Sequence, residues 1–176
     1  LDTLGLSGFK ASLQKQDSSP EYMKLTFNQR LYQLLESQIN ERHNRKIKRL
    51  LSQSKLKQKN ASLEDIQYLP TRGLDRSVIL SLATCESINK KQNILITGAT
   101  GVGKSYMAQA LAKSAIYEGY SARYYRITKM LEEIKLARLD GTYTKTLNKI
   151  SKYNLLILDD FGVSALKGDE LKDLFE

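Results

Sequence analysis

Residues 98–105 read Gly98-Ala99-Thr100-Gly101-Val102-Gly103-Lys104-Ser105, the phosphate-binding pattern G-x-x-x-x-G-K-[ST], complete at its four fixed positions. A polyphosphate is held by a loop whose backbone N–H groups turn inward together, and the glycines supply the backbone angles that such a nest demands. The Lys104 ammonium reaches the β- and γ-phosphates, and the Ser105 hydroxyl suits a Mg²⁺ ion. A helix starting at about Lys104 aims its positive end at the same anion. The pattern works only between a strand and a helix, and both are legible. Asn93, Ile94, Leu95, Ile96 and Thr97 form a short apolar run that predicts a buried strand. Residues 106–118 carry Met107, Ala108, Leu111, Ala115 and Ile116 at helical spacing, and Gly119 follows as a C-cap signal. One short string therefore commits the chain to an α/β fold with a parallel sheet and a polyphosphate ligand.

A second segment agrees with the first. Leu155-Leu156-Ile157-Leu158 runs into Asp159-Asp160-Phe161-Gly162, an apolar strand ending in two carboxylates. Taken alone this is common in buried parallel strands. About fifty residues after a phosphate loop it reads as a Walker B segment. Asp159 is then expected to hold the Mg²⁺ shell through water, beside Ser105. Two residues are expected to serve catalysis, Asp160 by polarising the attacking water and Lys104 by reaching the β- and γ-phosphates. Mg²⁺ keeps most of its waters, so outer carboxylates suit it.

Charge divides the chain. Residues 1–93 carry 16 lysines and arginines against 9 aspartates and glutamates, whereas residues 94–176 carry 12 against 10. The densest stretch holds Arg42, Arg45, Lys46, Lys48, Arg49, Lys55, Lys57 and Lys59, with no acidic residue from 42 to 59. Such a stretch is either a solvated helix face or a set of phosphate contacts to nucleic acid. No amphipathic aromatic face favours anionic lipid. The one cysteine, Cys85, excludes an internal disulfide and fits a reducing, cytoplasmic setting. Cys85 reads as a packing residue, and the single histidine, His43, as a surface residue. No apolar run reaches membrane-spanning length.

Three regions are expected: a basic helical domain over residues 1–61, a helical linker over 62–92 and a P-loop core over 93–176. In the first, Leu4, Leu6, Phe9 and Leu13 predict a helix that ends before Ser18-Ser19-Pro20. Thr26 and Gln29 form a capping box that opens a long helix, whose apolar stripe thins between 40 and 46 and so allows a kink. In the linker, residues 62–65 suggest a turn of helix, and a second helix follows Asp75. In the core, a strand at 121–127, helices at 128–139 and 142–151, the Walker B strand at 154–158 and a helix from about Gly168 complete the alternation.

Several of these strings together resemble a known family. Leu25-Thr26-Phe27-Asn28-Gln29-Arg30-Leu31, Glu41-Arg42-His43-Asn44-Arg45, Ser62-Leu63-Glu64-Asp65, Arg72-Gly73-Leu74-Asp75-Arg76, the P-loop and the segment ending Asp159-Asp160-Phe161-Gly162 are similar to those of the IstB-like helper ATPases of insertion sequences. These are relatives of the DnaC-type helicase loaders within the AAA+ class. The resemblance implies an ATP- and Mg²⁺-dependent protein that binds double-stranded DNA, forms homo-oligomers at full length and assists a transposase. It implies that Gly103, Lys104 and Ser105 bind phosphate and Mg²⁺. It places Asp159 at the magnesium position and Asp160 where many AAA+ proteins carry glutamate. The basic stretch, with Arg42, Arg45, Lys46, Lys48 and Arg49, is expected on the DNA-facing part.

The sequence departs from the family pattern at its end. Members continue past the Walker B segment with a strand bearing a polar phosphate sensor, and with an arginine that reaches the neighbouring subunit's ATP. In the AAA+ three-layer sheet that strand lies between the P-loop strand and the Walker B strand. A chain stopping at Glu176 reads as a truncated product or a fragment. Its incomplete sheet is expected to be weakly stable, prone to pair through its edges and nearly inactive in hydrolysis. The alternative function is a helicase loader of DNA replication, which shares the site but often carries clustered cysteines in a partner-binding front end. A small-molecule kinase would need an arginine-rich lid that is absent from the sequence.

Overall fold

The computed structural model of the chain describes residues 1–69, 72–163, 168, 170 and 174. It divides into two compact units, Leu1–Arg49 and Leu50–Glu176. The division lies within a helix, twelve residues before the boundary expected after residue 61, because the segment that follows the helix is bound into the second unit.

In the first unit, α1 (Ser7–Ser18) and a 3₁₀ turn (Pro20–Lys24) precede α2 (Phe27–Ser54). The expected capping box forms: the Thr26 N–H donates to Gln29 Oε1 at 2.9 Å, and the Gln29 N–H donates to Thr26 Oγ1 at 3.3 Å. The helix then runs without a break through residues 40–46. The two helices meet at Gly8. A Cβ there would lie 2.7 Å from the Ser37 carbonyl oxygen and 2.8 Å from Glu41 Cβ, so only glycine admits this approach. Polar side chains fasten the contact. Gln38 Oε1 accepts from the Phe9 N–H at 3.0 Å, Ser37 Oγ donates to the Gly8 carbonyl at 3.1 Å, and buried Gln16 donates to the Arg30 carbonyl at 3.0 Å.

The second unit contains α3 (Arg76–Ala83), α4 (Glu86–Asn89), α5 (Lys104–Tyr117), β1 (Ala122–Arg126), α6 (Ile127–Leu139), α7 (Tyr143–Ile150) and β2 (Leu155–Asp159). The strands pair in parallel, with Ala122 opposite Leu155, Tyr124 opposite Ile157 and Arg126 opposite Asp159. Because side chains alternate along a strand, this register sorts the two faces. Tyr125, Leu156 and Leu158 face α6 and α7 and pack with Met130, Ile134, Leu147 and Ile150. Tyr124, Ile157 and Asp159 share the opposite face, and α5 packs against both strands. Helix, sheet and helix thus form three layers, as expected of a P-loop fold.

Two local expectations are corrected. Residues 93–97 form no strand among the described residues. A strand is defined by its ladder, and among the described residues β1 and β2 pair only with each other. Ile96 still packs on the cluster of Ile66, Ile79, Met107 and Leu111, but Leu95 is 81% exposed. Residues 62–65 form turns and no helix. The Glu64 N–H donates to Ser62 Oγ at 3.3 Å, while the Tyr106 hydroxyl accepts from the Ser62 N–H and donates to Asp65, both at 3.1 Å. The helix expected from Gly168 falls largely outside the described residues. Cys85 is buried, as a packing residue should be, and His43 is exposed.

Candidate nucleotide site

Helix α5 starts at Lys104, and its first backbone bond runs from the Met107 N–H to the Gly103 carbonyl at 2.9 Å. The loop before it needs its glycines. Gly101 and Gly103 have φ of 84° and 96°, where a side chain is strained. A methyl on Gly103 would also come 3.3 Å from Arg72 Nη2. Arg72 holds the loop from outside, donating to the Val102 carbonyl at 2.8 Å and to the Gln67 carbonyl at 2.9 Å. The Lys104 ammonium lies over the loop, donating to the carbonyls of Gly98 and Ala99, both at 2.8 Å.

The two motifs meet. Ser105 Oγ donates to Asp159 Oδ1 at 2.8 Å, across 54 residues of sequence. The same carboxylate accepts from the Tyr124 hydroxyl on Oδ2 at 2.6 Å and from the Asp160 N–H on Oδ1 at 3.1 Å. Burial alone raises the Asp159 pKa. The donors Tyr124, Ser105 and the Asp160 N–H, with the Arg126 charge, outweigh burial and leave it below the ordinary aspartate value. The Tyr124 hydroxyl is pushed up to about 12, by burial first and then by Asp159. Asp160, at φ 60°, turns its carboxylate to Arg126, Nε to Oδ2 3.2 Å.

This donor set suits Mg²⁺ and a polyphosphate. A hydroxyl and an ionised carboxylate, oxygen ligands only, stand together beside a glycine loop, an ammonium and a helix N-terminus. Sequence reasoning missed Tyr124, Arg126 and Arg72 here. It also missed Gln109, one turn beyond Ser105, whose Nε2 donates to the Ser105 carbonyl at 3.1 Å.

The five basic residues expected to face DNA lie on α2 in the first unit. Arg42, Lys46, Lys48 and Arg49 are exposed, while Ile47 between them is buried. Arg45 is already engaged, with Glu41 at 2.8 Å and with the Ser7 hydroxyl. Among the described residues, no helix is long and apolar enough to cross a membrane.

Fold and motif geometry define an α/β protein of the P-loop class. Over residues 1–176 the chain matches the IstB-like ATP-binding protein family, and it belongs to that family. It is 39% identical, over its whole length, to an ATP-binding protein of insertion sequence IS1162 from Pseudomonas fluorescens, of which it spans 76%. It is 35% identical to an insertion-sequence ATP-binding protein, y4pL, of Sinorhizobium fredii, spanning 71% of it. An ATP-binding protein of insertion sequence IS21 from Pseudomonas aeruginosa is 26% identical over 97% of the chain and 63% of that relative.

Proposed function

We propose that the chain is the ATP-binding helper of a DNA transposition system, which binds duplex DNA and assists a transposase through ATP-dependent assembly. The observation that carries the reading is the bond between Ser105 and Asp159, which places the hydroxyl and the carboxylate of two distant motifs at one point beside the glycine loop. In this reading the N–H groups of residues 98–105 cradle the phosphates and Lys104 neutralises their outer oxygens. Ser105 and Asp159 would hold Mg²⁺. Asp160 orients the attacking water. Bound Mg²⁺ would supply charge neutralisation across the β- and γ-phosphates. Arg42, Lys46, Lys48 and Arg49 contact DNA phosphates, with Arg45 divided between that task and Glu41.

Family membership and the insertion-sequence relatives support the transposition setting. The test is a titration of folded protein with ATP and Mg²⁺. Lys104→Ala deletes a charge and no packing group, so it should remove most of the affinity and leave the melting curve in place. Equal affinity in the two proteins would sink the reading.

A further inference from the structure

We infer that Tyr124 is a positioning residue for Mg²⁺, one that acts through Asp159. The inference rests on the reading of the P-loop as a Mg²⁺–nucleotide site. Tyr124 is 6% exposed on the face of β1 that turns towards α5, and a phenylalanine would fill the same space. A buried hydroxyl needs a partner, and Tyr124 donates to the ionised end of Asp159, at 2.6 Å, with the Arg126 side chain also beside the hydroxyl.

That choice fixes the carboxylate. Donors hold both oxygens, Tyr124 on Oδ2, and Ser105 with the Asp160 N–H on Oδ1. A carboxylate gripped at one oxygen only can swing about its last side-chain bond, which is a soft torsion. With Oδ2 tied to the sheet, Oδ1 stays turned to Ser105, and the pair presents one fixed oxygen edge. Tyr124 is itself held. The ladder between β1 and β2 sets its backbone, and the Lys57 ammonium sits 5.4 Å from its ring centroid, within cation–π range. Outer partners of this kind orient the groups that meet a metal, and their loss weakens metal binding.

The test uses the full chain, a fluorescent ATP analogue and Mg²⁺ added to chelator-treated protein at constant pH. Tyr124→Phe should raise the Mg²⁺ concentration for half-maximal binding by about tenfold, with metal-free affinity unchanged and the melting temperature lowered only by the loss of one hydrogen bond to a carboxylate. Tyr125→Phe, on the opposite face of the same strand, should leave both the Mg²⁺ concentration and the metal-free affinity unchanged. In an Asp159→Asn background the Tyr124→Phe effect should shrink to less than roughly twofold, because its route is gone. An unchanged Mg²⁺ requirement overturns the inference. So does a loss shared equally by metal-free and Mg²⁺-dependent binding, or a Tyr124→Phe chain that fails to fold, since each makes the hydroxyl structural. If the unaltered chain binds no nucleotide with or without Mg²⁺, the reading of the site falls first and the inference with it.

Discussion

Gln109 is the residue whose removal should cost the second unit most for the fewest atoms. It lies on α5, is 2% exposed, and its amide spans two segments. Oε1 accepts from the N–H groups of Lys57 at 2.7 Å and Gln58 at 2.9 Å, and Nε2 donates to the Ser105 carbonyl. Lys55, with φ of 55°, has already turned the chain out of α2, so these two N–H groups have no helical acceptor. Gln109→Ala leaves both without a protein partner. Lys57 and Gln58 are themselves exposed, so water can meet their N–H groups. The loss is that of two hydrogen bonds, about 1–3 kcal/mol together, plus the cavity left by the amide. That is a measurable part of the roughly 5–15 kcal/mol that holds a domain folded. Gln109→Leu refills the volume without restoring an acceptor and should recover only the cavity share. Urea unfolding followed by circular dichroism measures the loss, and amide exchange at Lys57 and Gln58 locates it. An alanine variant within about 0.5 kcal/mol of the parent, the range of ordinary surface changes, would refute the reasoning. So would unchanged protection of those two amides.

Other consequences follow from single contacts. Gly8→Ala pushes a methyl into the Ser37 carbonyl and Glu41 Cβ and should cost about 1–3 kcal/mol, read as a lower melting temperature. Neutralising Arg45, Lys46, Lys48 and Arg49 together should weaken binding to unrelated duplexes alike and flatten its salt dependence, by up to about 0.9 in slope per lost phosphate contact; an unchanged slope would make that face merely solvated. The Asp159 pKa is lowered in the folded chain, so its stabilising share is complete above the unfolded aspartate value of about 3.9 and is lost as pH falls through the folded one. The stability gap between the parent and Asp159→Asn should therefore close on acidification below about pH 4; a gap that widens there would contradict the sign of the shift.

What was legible in the sequence was local. The capping box of Thr26 and Gln29, the Asp75 cap on α3, whose Oδ1 accepts from the Ser77 N–H at 2.7 Å, and the loop at 98–105 each depend on residues a few positions apart. Asp159 beside Ser105 was legible for another reason: the chemistry of Mg²⁺ and phosphate demands both groups at one place. Burial at 93–97 was legible only at Ile96, which packs, whereas Ile94 and Leu95 are exposed. Strand state was not, because it depends on a partner that no local pattern supplies. Tyr124 and Gln109 lay hidden for the same reason. A tyrosine in a strand and a glutamine in a helix are ordinary residues, and their roles come from partners 35 and 52 positions away. Tyr124 was nonetheless within reach. Once 121–127 and 154–158 are taken as parallel neighbours, strand alternation puts either 122, 124 and 126 or 123 and 125 on the side of Asp159. The run Arg123-Tyr124-Tyr125-Arg126 then offers one tyrosine to each face whichever holds. A tyrosine on the side of Asp159 was thus implied by the sequence, and the register of the pair, with Arg126 opposite Asp159, decides which one.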